Sequence, residues 1–192
     1  MVEKIIGAFS FKPNVYAEVE KDSSFTRSAW LIVAVTAFLN ALGISTATAH
    51  RSIGAYLVSV IITALFASLA FAVACFVVDW VGRYFFNAQI NFEEAVRTLG
   101  LAYVWNVVGV LGIVSLISPT LSCLTSIPRF FAWVAGFISW LVAAKEALDL
   151  EWPQTVGTII IAFVVNLVIM FFASLVVGLF VGGAAAIGSI LF

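Results

Sequence analysis

Charge is the scarcest property of this 192-residue chain. Lysine, arginine, aspartate and glutamate together make up 10% of it, whereas apolar residues make up 64% and the mean hydropathy is +1.17. A water-soluble domain of this length needs far more charge to cover its surface. The net charge of −1 gives no reason to expect a nucleic-acid partner. The composition therefore indicates a polypeptide that is surrounded by lipid.

Residues that usually carry catalysis or bind metals are also few. The single histidine, His50, makes a Ser-His-Asp triad with a spare base or a His-rich metal site hard to assemble. The two cysteines, Cys75 and Cys123, are expected in opposite leaflets, which argues against a disulfide or a shared zinc site. Cys75 is interpreted as a packed thiol. We therefore expect neither an enzyme nor a metal centre.

Five long apolar runs are what the chain does contain. They predict helices rather than barrel strands, because they are continuous and lack in–out alternation. A helix needs roughly 20 residues to cross a hydrocarbon core of about 30 Å, and the fourth run, between Arg129 and Lys145, is short enough that its ends must snorkel or extend to Leu148. The predicted spans are residues 29–49, 53–78, 99–117, 130–144 and 156–181. The predicted fold class is an all-α integral membrane protein with five transmembrane helices.

Lysine and arginine are distributed unevenly between the two sides that five crossings create. The N-terminal segment and the second and fourth loops hold seven of the nine, and the other side holds only Arg51 and Arg129. Because a Lys/Arg excess marks the cytoplasmic side, we expect a cytoplasmic N-terminus and an external C-terminus. All ten carboxylates fall on the cytoplasmic side as well. The first apolar run follows a segment of mixed charge, which indicates a retained anchor rather than a cleaved signal peptide.

The N-terminal segment has an amphipathic pattern. Ile5, Ile6 and Phe9 share one helical face, and Pro13 then ends or turns the segment. This pattern predicts a short interfacial helix on the inner leaflet. The predicted organisation is a cytoplasmic amphipathic segment, residues 1–27, followed by a transmembrane domain, residues 28–192.

The second loop predicts a capped helix that continues into the third span. Asn91 is a favourable N-cap, and Glu93 and Glu94 follow where the helix dipole favours carboxylates. With the five spans and Pro13, the run NFEEAVRTLGLAYVW resembles the Yip family, the Ypt/Rab-GTPase-interacting membrane proteins. The later run FISWLVAAKEALDLEWPQTVGTIIIAFVV is similar to the family's closing pattern of a Trp-bearing helix, a polar turn and a long last helix. The resemblance implies the same orientation as the charge count.

Two departures from that family limit what the resemblance implies. Eukaryotic members have a long cytosolic N-terminal domain and an Asp-Leu-Tyr-Gly-Pro motif, and this sequence contains neither. Its brief N-terminus is similar to the prokaryotic members, so a prokaryotic cytoplasmic membrane is the expected location. Binding to a Rab-type GTPase is accordingly not carried over.

Three asparagines are the notable polar residues of the predicted spans, which contain no charged side chain: Asn40, Asn106 and Asn166. Ion-coupled carriers usually keep a charged group within the bilayer. We interpret the asparagines as hydrogen-bonding groups between helices, worth about 1 kcal/mol each. The alternative is a polar track, which would make the protein a small-solute permease or channel.

His50 is the one candidate ligand for a cofactor. It follows the first span, and a neutral imidazole is a common axial ligand of haem and related pigments. The alternative function is therefore a pigment- or haem-binding membrane subunit. A single histidine beside Arg51 is more often an ordinary interface residue.

The last apolar run carries a row of small residues, Gly178, Gly182 and Ala186. Such rows let helices approach closely in lipid, by contact with another helix of the chain or with a neighbouring protein. We therefore expect a non-catalytic membrane-organising or assembly component, or an accessory subunit of a larger membrane complex. Its expected partners are the lipid bilayer and other transmembrane proteins or a second copy of itself.

Overall fold

The computed structural model describes residues 2–49, 52–118 and 120–191, with side chains described up to Val181. This part of the chain is helical and contains no strand, so the predicted all-α class is confirmed. The elements are α1 (Val2–Phe9), α2 (Pro13–Lys21), α3 (Phe25–Ile44), α4 (Thr46–Ala49), α5 (Ile53–Phe86), α6 (Phe92–Ala102), a 3₁₀ segment (Tyr103–Leu116), α7 (Leu121–Leu148) and α8 (Trp152–Leu191).

Five helices of the described residues are long and apolar enough to cross a bilayer: Phe25–Ile44, Ile53–Phe86, Phe92–Leu116, Leu121–Leu148 and Trp152–Val181. Each corresponds to one of the five apolar runs. The fourth, whose run is short, belongs to a 28-residue helix that continues past Arg129 and ends at Leu148. The first span is interrupted at Ser45, where α3 ends and the single turn of α4 begins. The long apolar runs therefore predicted where the crossings lie, and the crossings end at the polar turns between these runs.

The N-terminal helices pack on one end of the bundle. Tyr16 and Val19 of α2 are fully buried, and the hydroxyl of Tyr16 lies 2.6 Å from that of Ser139 on α7. Helix α1 has Ala8 buried, whereas Ile6 on its other side is 60% exposed. The N-terminal segment therefore begins with a short amphipathic helix, as the pattern predicts, which is followed by a second helix that belongs in part to the core.

Helix α3 and the 3₁₀ segment approach until their backbones touch. A methyl group on Gly43 would overlap the carbonyl oxygen of Gly109, and one on Gly112 would overlap the carbonyl of Gly43. Glycine permits this approach because it has no Cβ. The contact lies in a 3₁₀ segment of 14 residues, whereas such helices rarely exceed four.

The sequence of the 3₁₀ segment has a period of three that suits this geometry. With 3.0 residues per turn, residues three apart lie in one line along the helix. One such line contains the glycines and the residues with a hydroxyl or amide group: Tyr103, Asn106, Gly109, Gly112 and Ser115. The other two lines are aliphatic apart from Trp105. Gly109 and Gly112 of this line lie against α3, and Ser115 donates to the hydroxyl of Thr46 at the start of α4, 2.9 Å away.

Helix α8 is the most exposed of the five spans. Of its most apolar 18-residue window, 17% is buried, compared with 28% to 39% in the other four. It packs along α5 and, over a shorter stretch, against α7. Its buried residues are Thr155, Thr158, Ile159, Ala162, Ala173 and Val181. Most of the surface that α8 presents up to Val181 is therefore available to lipid or to another protein.

Candidate functional site

A cavity of about 250 Å³ lies between the helices and brings the three asparagines together. Asn40 comes from α3, Asn106 from the 3₁₀ segment and Asn166 from α8, and each lines this space. All three residues are half-buried. The sequence singled out these residues and left open whether they would come together, and the fold places all three against one space.

The amide groups have few protein partners. Asn106 donates from Nδ2 to the backbone oxygen of Tyr103, 3.1 Å away in its own segment. Asn40 and Asn166 have no hydrogen-bond partner among the described residues. The side chain of Asn40 lies directly against Gly109. The hydrogen bonds between helices that we predicted for these asparagines do not occur within the described part of the chain, so their polar atoms remain available to an occupant.

The walls of the cavity are largely aromatic. Tyr103 and Trp140 have ring centroids 6.4 Å apart, and both pack on Phe71 in the core. Phe163 of α8 lies 5.2 Å from Phe137 of α7, centroid to centroid. None of the described residues that line the cavity carries a charge. The space is thus an apolar, ring-lined pocket with a few neutral polar groups, the usual composition of a small-molecule site.

The N-terminal segment reaches the wall of this cavity through Trp105. The Trp105 ring contacts Phe9 edge-on at 4.8 Å and stacks with Phe11 at 5.4 Å. Phe11 has a φ of 52°, a left-handed conformation that is strained for a bulky residue. The strained turn between α1 and α2 therefore places an aromatic ring against a residue that lines the pocket.

A second polar cluster lies at the charged end of the bundle, which holds Glu20, Glu94, Arg97, Glu146 and Asp149. Asn91 caps α6, its side chain and that of Glu94 each accepting from the other's backbone N–H. The predicted capped helix is thereby confirmed. It starts at Phe92 and continues into the 3₁₀ segment, as the sequence indicates.

Arg97 connects three helices at this end. It is 5% exposed, and its guanidinium donates to the backbone oxygens of Val19 and Glu20 on α2, at 3.1 and 3.0 Å from Nε. It also donates to the Thr26 hydroxyl on α3 at 3.3 Å, and the Glu94 carboxylate lies 3.9 Å away. A planar guanidinium suits several acceptors at once. Arg97 therefore fastens α2 to the bundle.

Glu20 is expected to make the stability of the protein depend on pH. Burial raises the pKa of Glu20, and the nearby Asp149, Glu94 and Glu146 carboxylates raise it further, against an opposing effect of Lys21. A raised carboxyl pKa contributes stability that is present below the unfolded-state pKa and lost as pH rises through the folded-state pKa. Glu20→Gln, which stays neutral, is therefore expected to melt slightly above the wild type near pH 7, and the difference should shrink as pH falls toward the carboxyl pKa.

Thermal melts in detergent at several pH values measure this difference. Glu18→Gln is the matched control, since Glu18 is exposed on the same helix. A Glu20→Gln protein that melts below the wild type near pH 7 would contradict the raised pKa of Glu20.

The remaining predicted residues are distributed as follows. His50 lies outside the described residues. Gly182 and Ala186 lie in the part of α8 for which only the backbone is described. Gly178 is exposed on α8, and a Cβ built there meets nothing within 4 Å. Cys75 is buried and Cys123 exposed, both as free thiols. Within the described part of the chain no three His, Cys, Asp or Glu side chains are grouped to hold a metal.

The sequence reasoning missed the aromatic walls and the glycine contact. Small residues at a spacing of four, which is the α-helical pattern, occur on the last helix, and the close approach was therefore predicted there. The closest approach instead uses Gly109 and Gly112, which are three apart. The period of three from Tyr103 to Ser115 is the signal that could have located it.

Comparison with known protein families identifies a relationship for most of the chain. The family model of the Yip1 domain matches residues 6–175. No curated protein and no solved structure matches the chain. The matched range includes every described residue that lines the cavity and ends before Gly178.

Proposed function

The chain belongs to the Yip1 domain family of multi-pass membrane proteins, and from this premise we propose that it is a non-catalytic component that organises or assembles membrane complexes. It associates with other transmembrane proteins or with a second copy of itself. We further propose that the charged end of the bundle faces the cytoplasm, because the Lys/Arg excess lies at that end.

The exposure of α8 is the observation that carries this proposal. Its buried face is narrow, and Phe171, Phe172, Leu179 and Phe180 are more than half exposed. Gly178 lies among these side chains with open space around it. In lipid, helix association depends on close packing rather than on a hydrophobic driving force. The gap at Gly178 between large exposed side chains allows another helix to pack closely against α8 at this point.

The test is the replacement of Gly178 by leucine. Gly178→Leu is expected to shift the protein from an oligomer toward a monomer, because the added side chain fills the gap. Its melting temperature should remain close to that of the wild type, since no described atom lies near the added Cβ. Blue-native electrophoresis in mild detergent and mass measurement in nanodiscs give the oligomeric state.

Gly157→Leu is the matched control. Gly157 lies on the same helix, and a Cβ there also meets nothing within 4 Å, so its oligomeric state should stay unchanged. A wild-type protein that is strictly monomeric in several detergents and in nanodiscs, with no co-purified membrane protein, contradicts the proposal.

A further inference from the structure

We propose that the cavity between α3, the 3₁₀ segment, α7 and α8 binds one neutral, flat ring compound that is soluble in lipid and carries carbonyl or hydroxyl groups. This is the chemistry that quinones and quinols share. The site goes beyond the assembly role and does not depend on it.

The polar groups of the cavity select a neutral hydrogen-bonding ligand. Asn40 and Asn166 have no partner in the described protein, and Asn106 has used only one of its N–H groups. An amide both donates and accepts, so carbonyl and hydroxyl groups match it equally well. Unpaired polar groups are costly within a bilayer. Because none of the described residues that line the space is charged, an ionic ligand would have no counter-charge among them.

The walls select a flat ring. Aromatic rings from the 3₁₀ segment, α7 and α8 line the space: Tyr103, Phe137, Trp140 and Phe163. Aromatic rings attract one another in stacked and edge-on arrangements, which are worth about 0.5–1.5 kcal/mol per pair beyond simple burial. An aliphatic lipid tail gains no such contacts. A ring with polar substituents can meet the aromatic walls and the amides at the same time.

The volume that the helices enclose suits a small ring system. At about 250 Å³ the cavity is below the roughly 300–1,000 Å³ of drug-sized sites. A macrocycle such as haem exceeds this space. Water is the competing occupant, since a water molecule occupies about 30 Å³ of liquid and needs two to four polar partners. The predominantly apolar walls provide too few partners to fill the space with ordered water.

The test measures binding of menadione, a naphthoquinone, to the full-length protein in nanodiscs of dioleoylphosphatidylcholine. Trp105, Trp133 and Trp140 line the cavity, so bound menadione should quench tryptophan fluorescence with saturation. Loss of one neutral hydrogen bond weakens binding by about fivefold. We therefore expect about fivefold weaker binding for Asn106→Leu and for Asn166→Leu, and a larger loss for the double variant.

Asn14→Leu is the matched control, because Asn14 is exposed on α2 and is not among the residues that line the cavity. Dioctanoylglycerol, which carries ester carbonyls and a hydroxyl on aliphatic chains, tests whether the ring is required and should not displace menadione. Circular dichroism melts show whether the variants are folded. Quenching that rises linearly without saturation, or saturates equally in the wild type and the asparagine variants, overturns the proposal and leaves a hydrated pocket. Displacement by dioctanoylglycerol overturns the assignment of a ring.

Discussion

Alanine in place of Gly43 is expected to lower the free energy of unfolding by about 3 kcal/mol, the upper end of the usual range for overpacked sites. The added methyl group would overlap the carbonyl oxygen of Gly109 and lie 3.1 Å from the amide nitrogen of Gly112. Both obstacles are backbone, so no side-chain rotation can relieve the overlap. Helix α3 and the 3₁₀ segment must separate, which also removes contacts around Asn40.

Equilibrium unfolding in mixed micelles, followed by circular dichroism, measures this change. Gly178→Ala and Gly157→Ala are the matched controls, because a Cβ at either position meets nothing within 4 Å. They should be neutral or slightly stabilising, since alanine has the higher helix propensity. A Gly43→Ala protein that is as stable as these two controls would show that the backbones do not touch at this point.

Leucine in place of Arg97 is expected to cost about 3 kcal/mol and to release α2 from the bundle. The substitution leaves the backbone oxygens of Val19 and Glu20 without their donor in a buried environment, and loss of a buried charged partner typically costs about 3–5 kcal/mol. Lysine at this position keeps the charge but lacks the planar fork. Arg97→Lys should therefore recover less than half of the loss.

Unfolding in micelles gives the stability change, and limited trypsin digestion gives the release of α2. Cleavage after Lys21, which is exposed at the end of α2, should become faster in Arg97→Leu. Arg27→Leu is the control, since Arg27 is exposed on α3 and is expected to change neither quantity. If Arg97→Leu is destabilised while its tryptic cleavage stays at the wild-type rate, the connection to α2 is wrong.

The crossings were predictable because lipid imposes a strong requirement on sequence. Every backbone polar group in the hydrocarbon region must be paired within its own helix or a closed barrel, so a long apolar run has one common solution. The capped start of α6 was predictable for a similar reason, since Asn91 and Glu94 satisfy each other's backbone groups within four residues. Local chemistry decided both features.

The cavity was not predictable, because it depends on which helices become neighbours. Asn40, Asn106 and Asn166 are separated by 60 or more residues, and no periodic pattern relates them. Their convergence follows from the close approach of α3 to the 3₁₀ segment, which places Asn40 beside Gly109. The sequence could identify the polar side chains, whereas their shared space is a property of the packed bundle.

The 3₁₀ segment also changes how far the third crossing reaches. A 3₁₀ helix rises about 2.0 Å per residue, compared with about 1.5 Å in an α-helix. The 14 residues from Tyr103 to Leu116 therefore extend about 28 Å instead of about 21 Å, nearly the thickness of a hydrocarbon core. Rewinding the segment into an α-helix would shorten this crossing by about 7 Å and turn Asn106 away from Gly109 and Gly112. The length of the third crossing and the position of its amide are thus coupled through the winding of one segment.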